Sequence, residues 1–134
     1  MAISKTPATP RYSDISFAFS AHPIKKDVVK LIDADAVKRS VVNLVMTSHF
    51  ERPFHPEIGC DVRKMLFENI MPMTSLNIQR SIQDVLNNFE PRIQTQQVNV
   101  SADPDNNGYN ISIYFTVINV PGLVMVDMFL ERLR

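Results

Sequence analysis

Apolar residues change their spacing once along this chain, and the change falls at Phe89-Glu90-Pro91-Arg92-Ile93. Upstream the period is helical. Val37, Val41, Leu44, Val45 and Ser48 share one face, which predicts an amphipathic helix with Asp33 or Asp35 as its cap. Ile78, Ile82, Val85, Leu86 and Phe89 repeat the pattern in a second helix that begins at Thr74 or Ser75. Between the two, Pro53, Pro56 and Gly59 predict a loop, with Phe54 and Ile58 pinning it to the core. Asp61 then caps a short helix carrying Val62, Met65, Leu66 and Ile70, and Pro72 ends it. Pro91 disfavours helical torsions at Glu90, so the long helix stops near Asn88 or Phe89. Downstream the period becomes two, in Val98-Val100-Ala102, in Ile111-Ile113-Phe115-Val117 and in Val124-Val126-Met128-Leu130. Turns at Asp103 to Gly108 and at Pro121-Gly122 separate these runs, with Asn107-Gly108 suited to positive φ.

The expected fold class is therefore α+β, with N-terminal helices packed on one face of a small C-terminal antiparallel β-meander. Residues 12–134 form one domain, and residues 1–11, with Pro7 and Pro10 among small polar residues, form a flexible arm. From Tyr12 to Ile24 the pattern is mixed. Phe17 and Phe19 share one side of an extended segment, either laid on the domain's own core or anchoring a neighbouring subunit.

Composition narrows the function classes. The 14 basic and 14 acidic side chains cancel, which leaves no broad electrostatic footprint for nucleic acid or an anionic membrane and little self-repulsion against association. Cys60 is the sole cysteine, so no intrachain disulfide forms, in keeping with a reducing compartment. No apolar run approaches the roughly 20 residues a bilayer requires, and the first residues lack an apolar signal core.

The candidate chemistry is thin. His49, His55 and Cys60 are ligand types, but their spacing matches no common zinc pattern, and no metal is expected. Cys60 lies before a helix start beside Asp61, a setting for a buried thiol rather than a nucleophile. Glu51, Glu57, Asp61, Glu68 and Glu90 are the acids a glycosidase would draw on, without any paired context. Gly59, Gly108 and Gly122 are isolated, so no phosphate-cradling loop and no cofactor is expected. Glu90 and Arg92 remain. Around a rigid proline they are an exposed ion pair, two solvated charges, or a hydrogen-bonding contact to another subunit through the Arg92 fork.

An ordered set of short motifs bears on that choice, leaving open whether Glu90 and Arg92 pair with each other or reach separate partners. It comprises Tyr12-Ser13-Asp14-Ile15, Arg52-Pro53-Phe54, Pro56-Glu57, Gly59-Cys60-Asp61, Leu66-Phe67-Glu68-Asn69, Glu90-Pro91-Arg92-Ile93, Val98-Asn99-Val100 and Phe115-Thr116-Val117-Ile118. In this order and spacing, over almost the whole chain, it resembles the T-even-type baseplate wedge subunits of contractile-tailed phages. That sheath-initiator family also includes a type VI secretion baseplate component. The resemblance implies a non-enzymatic virion protein of the tail baseplate, assembled in the host cytoplasm, which joins the inner baseplate to the first sheath ring and templates sheath assembly. It implies Glu90, Pro91 and Arg92 as the contact to the helical core bundle formed by other wedge proteins. It implies Val124, Val126 and Met128 as part of a C-terminal strand that pairs with the tail sheath subunit, with the tail tube as a further neighbour. The chain departs from the family pattern at Phe17 to Ile24 and at Pro121-Gly122. Members have been labelled lysozyme-like, which makes a virion-associated glycosidase the alternative.

Overall fold

The computed structural model describes residues 11–132. In chain order the elements are β1 (Ser13–Ile15), β2 (Lys30–Ile32), α1 (Asp33–Met46), α2 (Val62–Met65), α3 (Pro72–Phe89), β3 (Ile93–Asp103), β4 (Gly108–Val117) and β5 (Leu123–Glu131). The last three form one antiparallel sheet in the order β3-β4-β5. This is the expected meander, and helices cover one of its faces.

The register explains the faces. Val98, Ile113 and Val126 lie side by side across the sheet, as do Val100, Ile111 and Met128. These rows point at the helices. The rows between them carry Asn99, Ser112 and Asp127 on the opposite, wetter face. Two of the helical stripes close the core: Val37, Val41, Leu44 and Val45 from α1, and Ile78, Ile82, Val85 and Leu86 from α3. Ile78, Ile82, Ile113 and Phe115 are fully buried, each stabilising the fold by about 1.5–3 kcal/mol.

Several local expectations fail for identifiable reasons. Neither Asp33 nor Asp35 caps α1: Ile32 occupies the cap position, with no side-chain hydrogen bond there. The Asp33 carboxylate instead accepts the N–H groups of Arg11 (2.9 Å) and Tyr12 (3.3 Å), tying the incoming chain to the helix start. Asp61 takes the cap position of α2 but makes no side-chain cap bond, and α2 ends at Met65, short of Ile70. Pro72 starts α3 rather than stopping α2; its missing N–H is free of consequence in the first helical turn. Phe54 pins nothing, being 97% exposed, whereas Ile58 packs on the core as expected. Asn107 adopts positive φ, but Gly108 does not. Gly108 is needed for close approach, since a Cβ there would collide with the Phe129 ring and the Leu130 carbonyl.

The segment before α1 is a hairpin, β1 paired antiparallel with β2. Phe17 and Phe19 stay more than half exposed, so the segment is not laid down as core. The Arg39 guanidinium sits 4.6 Å from the centre of the Phe17 ring, a cation–π contact that holds the hairpin to α1. The expectation of a flexible arm falls on residues outside those described, apart from Arg11.

Candidate functional site

The junction between helix and sheet is a built corner. Glu90 ends α3: its N–H still bonds the Leu86 carbonyl at 3.1 Å, but its torsions have left the helical region, as Pro91 demands. The Ile93 N–H then reaches back to the Glu90 carbonyl at 3.3 Å, closing a tight turn into β3. This turn folds Arg92 onto Glu90. The Arg92 Nε–H donates to Oε1 at 2.6 Å and Nη2 donates to Oε2 at 2.7 Å, a bidentate charge-assisted pair. The Ser40 hydroxyl on α1 also donates to Oε2.

Further segments converge on the corner. The Arg92 carbonyl accepts the Ile118 N–H at 2.9 Å. The Tyr12 hydroxyl donates to the Ile118 carbonyl at 3.3 Å, and its ring lies 5.7 Å from the Arg92 guanidinium carbon. The corner thus brings together α1, the end of α3, the start of β3, the β4–β5 connection and the segment leading into β1.

Glu90 is only 3% exposed, so the pair is not a surface bridge. Burial pushes the Glu90 carboxyl up; the hydrogen bonds from Arg92 and Ser40 and the Arg92 charge outweigh it and hold the group below its ordinary value. The Glu90 hydrogen bond raises the Arg92 guanidinium in turn, against burial. The Arg92 side chain keeps 36% exposure, and Pro91 is exposed. Both open onto a polar cleft of about 400 Å³ that Asp14, Ser40, Asn43, Arg52 and Ile58 also line.

The other sequence candidates sit apart from this corner. His49 pairs with Asp61 at 3.2 Å, and His55 with Glu57 at 3.1 Å. Cys60 is fully buried with its Sγ 3.2 Å from the Ser81 hydroxyl. Burial pushes its thiol up, away from thiolate chemistry. Among the described residues no three His, Cys, Asp or Glu side chains gather into a metal-holding group. Glu57, Asp61 and Glu90 are all displaced downward, the first mainly by a backbone hydrogen bond and the second by Lys64. Val124 and Val126 are buried against the helices and Met128 is half-buried beside them. These three side chains face the protein's own core, and what β5 offers outward is its backbone edge and the exposed side chains of Leu123, Met125 and Phe129.

Sequence reasoning missed Ser40 and Tyr12 as members of the corner. Ser40 carried a signal: it lies three residues after Val37 and four before Leu44, a polar residue on a buried stripe.

A helix-covered three-stranded meander of this kind is found in solved baseplate structures. A chain in the anti-feeding prophage baseplate superposes with a TM-score of 0.70 at 24% identity, covering 81% of this chain and 87% of that one. One from the postcontracted R2 pyocin baseplate gives 0.53 at 19% identity, covering 90% and 100%. A Geobacter sulfurreducens protein provisionally named a tail lysozyme gives 0.67 at 21%, covering 73% and 89%. At these identities the shared property is the fold. Residues 33–121 match the family model described as baseplate wedge protein gp25. Baseplate wedge protein gp25 of Enterobacteria phage T4 is 38% identical over 96 residues, which are 72% of this chain and 73% of that protein. The chain belongs to the baseplate wedge protein gp25 family, whose members are components of contractile phage tails.

Proposed function

We propose that this chain is a non-enzymatic wedge subunit that holds the inner baseplate to the first sheath ring, with the Glu90-Pro91-Arg92 corner as its contact to the helical core of the wedge. The observation that carries this is the corner's construction. Glu90 is spent inside the domain, where it fixes Arg92 from the buried side. The exposed edge of Arg92 and the ring of Pro91 are left facing a cleft that no segment of the described chain fills. Glu90 is thus a positioning residue and Arg92 the contacting one. A guanidinium held by one carboxylate retains donors for a second acceptor. Sheath templating belongs to the other side of the domain, where β5 is an edge strand able to pair with a strand of a sheath subunit.

The deciding experiment is add-back of the full chain to wedge particles that lack it. Arg92→Lys keeps the charge and loses the fork, and Glu90→Ala with Arg92→Ala removes both groups together. Folded variants that fail to enter the wedge support the assignment, and wild-type incorporation by both sinks it. The sheath role is checked by a map of the baseplate–sheath junction. Backbone hydrogen bonds between β5 and a sheath strand are expected, and side-chain contacts alone reject templating. A glycosidase would need a carboxyl group raised toward neutrality to act as acid. The displaced acids here move the other way, and the expected result in a peptidoglycan clearing assay with purified chain is no activity.

A further inference from the structure

The loop of residues 48–60, between α1 and α2, is locked from within. The Cys60 N–H donates to the Thr47 carbonyl at 2.7 Å, and the Phe50 N–H donates to the Pro56 carbonyl at 3.0 Å. The Glu51 carboxylate accepts the Ser48 N–H at 2.8 Å. At the base of the loop a Cβ on Gly59 would lie 2.6–2.7 Å from the backbone of Ser48 and His49, so only glycine permits this closure. What the lock presents is unusual. Phe50 and Phe54 hold φ values of +66° and +71°, a conformation that bulky side chains rarely adopt. They are 81% and 97% exposed. Neither ring contributes to the core, so the strained conformation serves their outward placement.

Arg52 lies between the two phenylalanines in sequence and lines the same cleft as Glu90 and Arg92. The acids around it each have a hydrogen-bond donor of their own, and Glu90 alone among them meets a permanent cation. Glu90 is held by Arg92 and Ser40, Glu51 by the Ser48 N–H, and Glu57 by His55. Asp14 accepts the Ile15 N–H at 2.8 Å. Among the described residues the Arg52 guanidinium has no ion-pair or side-chain hydrogen-bond partner. Arg52 is thus left without an ion-pair partner at this rim, in a loop whose Phe50 and Phe54 are both exposed.

We propose that the 48–60 loop is the second half of the wedge contact: the wedge partner seated over the Glu90–Arg92 cleft buries Phe50 and Phe54 in an apolar groove and sets a carboxylate against Arg52. This rests on the corner being that contact, as proposed above. Aromatic rings and an arginine on a pre-organised loop are the side chains that dominate interface energetics.

The test is a titration of the full chain into wedge particles purified from an assembly that lacks it. Phe54→Gly removes the ring and suits the positive φ, so its thermal midpoint stays level or rises. Its binding is expected to weaken about thirtyfold or more, the scale of an interface hot spot. Arg52→Glu is expected to bind more weakly than Arg52→Ala, because it sets like charges together. Wild-type binding by Phe54→Gly and Arg52→Glu, alongside failure of Glu90→Ala with Arg92→Ala, overturns the loop's role and leaves the corner standing. Normal binding by the corner variant overturns the corner and the loop's assignment with it. Sedimentation of the isolated chain covers the remaining occupant. A dimer that Phe54→Gly abolishes, with wedge binding unchanged, assigns the rings to a second copy and rejects the proposal.

Discussion

Arg92 and Glu90 are worth more as a pair than as two residues. Arg92→Ala orphans a carboxylate that is 3% exposed. Such a loss costs about 3–5 kcal/mol when both partners are buried, and about 2–3 kcal/mol is expected here because Arg92 keeps 36% of its surface. Urea midpoints should show the double alanine variant losing less than the two single variants combined. The pair also sets an acid limit. The folded pKa of Glu90 lies below the ordinary value of a glutamate carboxyl. Its contribution is therefore complete above that value and is lost as pH falls through the lower, folded one. Thermal midpoints followed from pH 6 downward should fall more steeply for the wild type than for Glu90→Gln, which has no proton to take up. The pairing itself was not legible in the sequence. Pro91 announces restricted torsions, but which way Arg92 folds depends on the Ile93-to-Glu90 turn, and the Ser40 partner lies 50 residues away.

At the scale of elements, what could be read was what burial had written into the period. The stripes of α1 and α3 and the alternation of β3 to β5 follow from helices facing a sheet, and they emerged with shifted ends: α1 stops at Met46, short of Ser48, α3 starts at Pro72 rather than Thr74 or Ser75, and Ala102 at the end of β3 is exposed. The β1–β2 hairpin was invisible as a pair because its short strands face solvent and leave no alternation to detect. Phe54 misled for a related reason: its hydrophobicity suggested core, while its backbone conformation aims it at solvent. Turn chemistry was half legible, since Asn107 takes the positive φ and Gly108 serves packing instead. Gly108→Ala should accordingly destabilise by about 1–3 kcal/mol through overpacking against Phe129 and Leu130. Ile82→Ala, at the centre of the α3 stripe, should lose about 2–5 kcal/mol. Denaturant unfolding of both variants measures the two effects side by side.

At the scale of the whole molecule, the sole cysteine provides a probe. Cys60 is fully buried between the loop, α2 and α3, and burial raises its thiol pKa. Labelling by a thiol reagent under native conditions should therefore proceed only through opening of the core, at a rate that rises with urea in step with unfolding. Fast labelling in the absence of denaturant would mean that the loop opens independently of the rest.

The irregularity in β3 bears on how such a domain can be built upon. Between Thr95 and Gln97 the β3–β4 register shifts by a bulge, whereas β4 and β5 pair without interruption from Gly108–Glu131 to Thr116–Leu123. A bulge twists and interrupts the row of backbone donors and acceptors along its strand. The β3 side is thereby a poor template, and the β5 side remains regular. Under the templating role proposed above, a sheath strand is therefore expected to add at β5 and not at β3, which leaves the domain one end from which pairing can extend.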